Sequence, residues 1–373
     1  MLTETLPGSA APAGRSPGRA RPLLTLMLCT LLGGCSTTSY LLQAASGEYH
    51  VMHAREPIER VLADPHTPPD LRARLLLVQQ ARAFASDSLG LPQNHSYTTY
   101  ADIKRPYVVW NVVATPEFSV TPHHWCFPVA GCVTYRGYFH EQAARKFAAR
   151  LRRKGYDVAI DGVPAYSTLG KLPDPVLSSM LRYDDDDVVA TIFHELAHQV
   201  LYVKDDTAFN EAFATTVEDA GLERWLVHEG APPERIQAFR ADEAREAAFV
   251  KLLAESRTRL VQLYASKEAP ETMRARKQEI FAALAEQIHA LQKSEGVNDT
   301  LYDDWIEEGL NNARLASVAT YYDCVPGFKR LLASEDNDFE RFYAAARALA
   351  RLPRAQRDAQ LCGPQAAATA ETD

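Results

Sequence analysis

The chain reads as an α+β protein, mostly helical, in which a small sheet lies over a central buried helix and a long helical hairpin stands beside the core. Three observations predict this. Strand-like runs at Tyr107–Val113, Cys132–Phe139 and Tyr156–Ile160, with an amphipathic helix at Glu141–Lys154 between the last two, give a β-α-β passage. Val188, Val189, Ile192, Phe193, Leu196 and Val200 then recur with the period of a helix buried on one side. Finally, residues 233–266 and 271–294 are charged, rich in Ala, Leu, Glu and Arg, and helix-periodic, which predicts a hairpin over 233–295. A scaffold or lid packed beside the core is its expected role, against a coiled coil with a partner.

The elements follow in order. Arg15, Arg19 and Arg21 form a basic segment, Leu23–Leu32 an apolar stretch, and Leu32-Gly33-Gly34-Cys35 closes it with small residues. This pattern predicts a signal peptide over 1–34, too short to span a bilayer as a helix. The tetrapeptide resembles a bacterial lipobox, which implies that Cys35 is the lipidated first residue of the mature chain. Ser36 rather than Asp follows, which by analogy directs the protein to the outer membrane, facing the periplasm. An ordinary cleaved signal is the alternative. Residues 35–48 read as a lipid-anchored tether, and 49–363 as the one folded domain. Within it, Ile58–Leu62 and Leu71–Leu89 read as helices broken at Pro65, Pro68 and Pro69. Helices resume over Tyr302–Ala319 and Gly327–Ala350, and the Ala/Thr/Glu/Asp tail over 364–373 reads as disordered.

Composition excludes one class of function. Removal of residues 1–34 leaves 373 − 34 = 339 residues and takes away three Arg and one Glu, so the net charge moves from −8 to −10. An acidic chain without a basic, aromatic-interleaved patch is not built for nucleic acid. No protein partner can be inferred. Of six cysteines, Cys29 is removed and Cys35 lipidated, leaving four in an oxidising compartment. Cys126 and Cys132 stand in a Pro/Gly loop and are expected to pair, which leaves Cys324 with Cys362. Free buried thiols are the alternative for the second pair.

The chemistry concentrates at His194-Glu195-Leu196-Ala197-His198. Residues four apart on a helix lie nearly above one another, so His194 and His198 can offer two imidazole nitrogens to one ion. Glu195 lies about 100° around the helix, within reach of a water on that ion. Asp184–Asp187 supply the helix start. The helix can run on to Val203, and Lys204–Thr207 reads as a turn with Asp206 or Thr207 as the next N-cap. Twelve residues separate His198 from Glu211, a connection short enough for two packed antiparallel helices that turn Glu211 back to the His pair as third ligand. Glu218 or Asp219 can then hold a ligand imidazole in one tautomer. One zinc ion, with a fourth position open to water, suits two His and one carboxylate. His123 and His124 are adjacent, diverge on any regular element, and read as loop residues.

The run Phe193–Asp219, FHELAHQVLYVKDDTAFNEAFATTVED, together with Ala165–Leu177, Tyr107–Phe139 and Leu310–Phe328, resembles a family of bacterial lipoproteins regarded as zinc aminopeptidases, a branch of the gluzincin metallopeptidases. The resemblance implies a zincin-like fold, one catalytic zinc and peptide-bond hydrolysis. Two features depart from better-known gluzincins: the short interval to Glu211, and Thr215 where many have an acidic residue. No Gly-x-Met-x-Asn run is present, which leaves the preference for a free N-terminus open.

From these residues the expected function is zinc-dependent peptide hydrolysis, with His194, His198 and Glu211 as ligands and Glu195 as general base. In a zincin an edge strand pairs with the extended peptide, and Val133-Thr134-Tyr135-Arg136-Gly137 is the candidate. Tyr321 or Tyr322 is the candidate donor to the developing oxyanion, against a packing role for either. A membrane-anchored endopeptidase of envelope proteins and a non-catalytic binding or assembly lipoprotein are the rival readings.

Overall fold

A computed structural model describes residues 38–127, 131–294 and 301–362. The signal segment, Cys35 and the tail from Pro364 fall outside them, as does residue 295 of the expected hairpin. The chain divides into two units, residues 1–46 and 47–373. In the first, residues 38–46 are helical, so the expected tether carries regular structure. Everything below concerns the second.

There, residues 47–53 are helical (α1), followed by β1 (Arg55–Pro57), α2 (Ile58–Ala63) and α3 (Pro69–Leu89). Pro69 begins α3 rather than breaking it, because a first-turn proline forfeits only a donor that has no intrahelical acceptor. Next come β2 (Thr99–Ala101), β3 (Val109–Pro116), β4 (Trp125–Phe127), β5 (Gly131–Val133), β6 (Tyr135–Tyr138), α4 (Glu141–Arg152), β7 (Tyr156–Val163) and β8 (Val176–Leu177). The expected strand Cys132–Phe139 is therefore two. β5 pairs with β4, whereas β6 pairs antiparallel with β3, Trp110 opposite Tyr138 and Val113 opposite Tyr135. The change of partner falls at Thr134.

The main sheet has the order β6-β3-β7, all antiparallel, which leaves β6 at an edge. Central β3 is buried from Val109 to Thr115, as expected for a strand covered on both faces. Its cover is α4 and, later in the chain, α10 (Asn312–Tyr322). A second small sheet, β1-β2-β8, was not legible in the sequence.

The centre of the core is α5 (Asp185–Val200) packed on α6 (Thr207–His228). Val188, Val189, Ile192, Phe193, Leu196 and Ala197 of α5 and Ala212, Phe213, Ala214 and Val217 of α6 are fully enclosed. The crossing is close because Gly221 has no side chain. A Cβ there would lie 2.9 Å from Leu89 and 3.0 Å from Phe193. The sheet reaches this helix pair chiefly through α10, which packs on both β3 and α6, rather than lying directly over α5.

Helices α7 (Pro233–Ala265) and α8 (Pro270–Ser294) form the long hairpin. Phe249, Leu253, Leu260, Phe281, Leu284 and Ile288 close upon one another and on Leu315 of α10, so the apolar stripe is spent within the chain. After α8 the expected helix Tyr302–Ala319 is α9 (Leu301–Glu307) and α10, separated at Gly309, where φ is 97°. The expected helix Gly327–Ala350 is likewise α11 (Val325–Ser334) and α12 (Phe339–Ala350), divided where Asp336 and Asn337 turn left-handed and Asp338 caps the next helix. α13 (Arg354–Leu361) is the last element among the described residues.

Candidate metal centre

Helix α5 starts at Asp184, with Asp185, Asp186 and Asp187 in its first turn beside the positive end of the helix dipole. It stops at Val200, the last residue of the buried-face period and three short of the Val203 to which the helix could run, where Leu201 is extended (φ −150°, ψ 126°). What ends it is a clamp. The Val203 N–H donates to the Asn210 side-chain oxygen at 2.7 Å, and the Asn210 amide donates to the Val203 carbonyl at 2.8 Å. Asp206 caps α6 by accepting from the Phe209 N–H at 3.3 Å, while its second oxygen accepts from Arg357 Nη2 at 2.5 Å and Nε at 3.0 Å. The turn between the helices is thereby fixed from three sides, and Glu211 follows directly.

That turn brings Glu211 against the two imidazoles. His194 Nε2 lies 3.2 Å from His198 Nε2 and 3.3 Å from Glu211 Oε2, and His198 Nε2 lies 3.4 Å from the same oxygen. Three potential ligand atoms thus converge on one point in a group that can hold a metal ion. Glu218, two turns along α6, lies 2.8 Å from His194 Nδ1. A carboxylate there keeps the proton on Nδ1 and turns the lone pair of Nε2 inward. His198 Nδ1 is buried without a partner among the described residues.

Electrostatics within the group are strong. Burial disfavours a charged His194, yet Glu211 and Glu218 outweigh it and the imidazole pKa goes up. Burial alone would raise Glu211, but His198 and His194 bring it down to about 2. Glu195 is pushed up by burial, which the two imidazoles only partly offset. It makes no ion pair or hydrogen bond among the described residues and stands as the free carboxylate beside the ligand group.

A family model described as "Putative aminopeptidase" matches residues 39–361. The chain belongs to that putative aminopeptidase family. No curated protein and no solved structure matches it. The family match covers the entire His194/His198/Glu211 group, and membership makes a peptide the expected substrate.

Around the group, the remaining candidates separate. Tyr321, near the end of α10, is half-buried; burial raises the pKa of its hydroxyl, and Glu211, Tyr135 and Glu195 act on it in the same direction. Tyr322 is excluded from the site: its hydroxyl donates to Glu246 Oε1 at 2.5 Å, since adjacent residues diverge by about 100° on a helix. Asp219 is excluded for the same reason. It pairs with Lys329 at 2.7 Å, not with an imidazole. Thr215, which replaces an acidic residue, is buried on α6.

The candidate strand approaches from the other side. Tyr135 lies near Tyr321, and Thr134 lines a cavity shared with Thr207, Ala208 and Thr320. Arg136 stacks over Phe147 and Tyr138, Gly137 sits closely on Val109, and Val133 is buried. The β4–β5 hairpin is pinned to the α5–α6 turn, because the Cys132 N–H donates to Asp205 at 2.5 Å. Gly131, at φ 76°, leaves room for that same carboxylate. Cys126 is bonded to Cys132, and Cys324 to Cys362. His123 packs edge-on against Trp125 and Tyr156 and takes no part in the site. Asn311 caps α10 and buried Asn312 accepts from Tyr264, so the Asn pair is structural.

Two residues within electrostatic reach of Glu195, Tyr97 and Asp174, escaped the sequence reading, as did Glu48, which acts on Asp174. Asp174 lay inside the stretch Ala165–Leu177 but carried no spacing signal. Tyr97 carried none at all.

Proposed function

We propose that the chain is a zinc-dependent aminopeptidase with a zincin-like core, anchored by an acylated Cys35 to the periplasmic face of the outer membrane. The observation that carries the catalytic part is the convergence of His194 Nε2, His198 Nε2 and Glu211 Oε2 at mutual separations of 3.2–3.4 Å. Ligands about 2.0–2.1 Å from a tetrahedral zinc stand about 3.3–3.4 Å from one another. The donor set therefore fits the ion in both spacing and chemical type.

Zinc held by His194, His198 and Glu211 would supply a Lewis acid able to polarise a peptide carbonyl and to make a water molecule acidic enough to lose its proton near neutral pH. Glu195 takes that proton and passes it to the leaving amine as the C–N bond breaks. Its burial, which raises its proton affinity, suits a group that must both accept and return a proton. Tyr321 donates its hydroxyl to the carbonyl oxygen as negative charge develops on it. The substrate lies extended alongside β6, which stands at one end of the strand order β6-β3-β7.

The test separates metal binding from chemistry. Glu195→Gln keeps size and polarity but cannot act as a base. Zinc content should stay at the wild-type level while turnover of peptide substrates falls by roughly 10²–10⁴-fold. Undiminished turnover in this variant refutes the mechanism.

A further inference from the structure

Behind Glu195 lies a second polar group that the hydrolytic residues do not use. Asp174 is only 3% exposed. Its carboxylate accepts from the Thr168 N–H at 3.1 and 3.2 Å and from the Ser167 hydroxyl at 3.4 Å. It lies within electrostatic reach of Glu195 on one side and Glu48 on the other. Tyr166 donates its hydroxyl to one oxygen of Glu48. The other oxygen, Oε1, is buried and unpartnered.

Tyr97 is the independent observation. It is 1% exposed, and its hydroxyl finds no hydrogen-bond partner among the described residues although it lies within electrostatic reach of Glu195, Asp174 and Tyr166. The loop that carries it is pinned in place. The Tyr97 N–H donates to the Asp174 carbonyl at 2.6 Å, and Ser96 Oγ accepts from the Asp174 N–H and from Gln199 of α5, both at 3.3 Å. A buried hydroxyl and a buried carboxylate oxygen without partners are each costly unless something supplies them.

The charge is also uncompensated. Neither Glu48 nor Asp174 makes an ion pair among the described residues. Arg82 and Arg105, the cations that influence the two tyrosines, direct donors to backbone carbonyls: Arg82 to Ser96, Pro92 and Asn94, Arg105 to Phe139 and Val108. A second metal is not what the group wants, because the described residues bring three ligand-type side chains together only at His194, His198 and Glu211. A primary ammonium has three N–H donors, no acceptor and a positive charge, and matches every unmet need of the group.

We propose that Asp174, Glu48 and Tyr97 form the subsite for the protonated α-amino group of the substrate, so that cleavage falls after the first residue. The identity of the ligand rests on the peptidase reading above; the affinity for an ammonium does not. In an amino-terminal residue the α-nitrogen is about 2.5 Å from the scissile carbonyl carbon. An amine subsite must therefore stand close to the general base, and Asp174 and Tyr97 both lie within electrostatic reach of Glu195. The missing Gly-x-Met-x-Asn run is then no obstacle, since another part of the chain performs the task.

The decisive experiment is calorimetric titration of the zinc-loaded protein with L-leucinol and with N-acetyl-L-leucinol, neither of which can be hydrolysed. The wild type should bind leucinol and discriminate against its acetylated form. Asp174→Asn and Glu48→Gln should each weaken leucinol binding by about tenfold or more, with zinc content unchanged, and raise KM for peptides with free N-termini more than they lower kcat. Glu48→Gln, at a partly exposed position, keeps the test intact if Asp174→Asn disturbs its loop. Unchanged leucinol affinity in a folded variant, or equal affinity for the two probes in the wild type, overturns the subsite. Leucinol binding lost as expected in a protein that hydrolyses no peptide supports the subsite and sinks the hydrolytic reading. Turnover without preference for a free amine does the reverse.

Discussion

Each side chain of the centre owes its position to a neighbour, and Glu218 shows this most plainly. Bonded to His194 Nδ1, it fixes a tautomer. Glu218→Ala should weaken zinc affinity by roughly 10–100-fold, measurable by competition with a chelator, and should leave the fold intact. His194, His198 and Glu195 were legible because one helical turn encodes their geometry locally. Glu211 and Glu218 were legible because the connection before them is short. The amine subsite was not, since its contacts bridge distant segments: Tyr166 meets Glu48 across 118 residues and Asp174 meets Ser96 across 78. Asp174 also makes a pH prediction. Burial raises its carboxyl to about 6, with Glu48 adding to it and the Thr168 bonds opposing. The folded chain therefore binds this proton more tightly than the unfolded chain. The stabilisation is complete at acid pH below about 4 and is lost as pH rises through about 6. Asp174→Asn, which keeps an acceptor for Thr168, should be more stable than wild type by about 1–3 kcal/mol at pH 8 and no more stable at pH 4. Thermal melts at the two pH values check this.

At the level of elements, periodicity identified the helices that matter, while their ends were set by contacts that no local pattern carries. α5 stops at Val200, the last residue of the buried-face period and three short of the Val203 to which it could have run, because Asn210, from the next helix, holds both backbone groups of Val203. The candidate substrate strand divides at Thr134 because β4 and β3 compete for its two halves. The α5–α6 crossing depends on Gly221. Gly221→Val would press a branched side chain into Phe193 and Leu89 and should destabilise the fold by about 1–3 kcal/mol, with zinc affinity falling as the helices part. Asp206 and Arg357 form a buried pair that ties the same turn to the last helix. Arg357→Met should cost about 3–5 kcal/mol, because Asp206 would be left charged and unpaired. Equilibrium denaturation measures both, and an unperturbed Arg357→Met would show that the turn is held by Asn210 alone.

At the scale of the whole molecule, the parts combine into one arrangement: two packed helices carry the candidate metal group, α10 joins them to the three-stranded sheet, and the proposed amine subsite lies within electrostatic reach of Glu195. Among the described residues no helix is long and apolar enough to cross a membrane, so the proposed anchoring depends on Cys35. Two acyl chains suffice for stable attachment at ~0.8 kcal/mol per buried methylene. Cys35→Ser should move the protein from the detergent-extracted membrane fraction to the soluble one, and a wild-type chain found soluble with an unmodified N-terminus would leave only secretion. The account as a whole depends on the metal. Its most direct test is the zinc content of purified wild type and Glu211→Ala, measured by mass spectrometry of the metal. The account predicts close to one zinc per chain in the wild type and little in the variant. Full zinc in Glu211→Ala, or none in a wild type prepared without chelator, would contradict it.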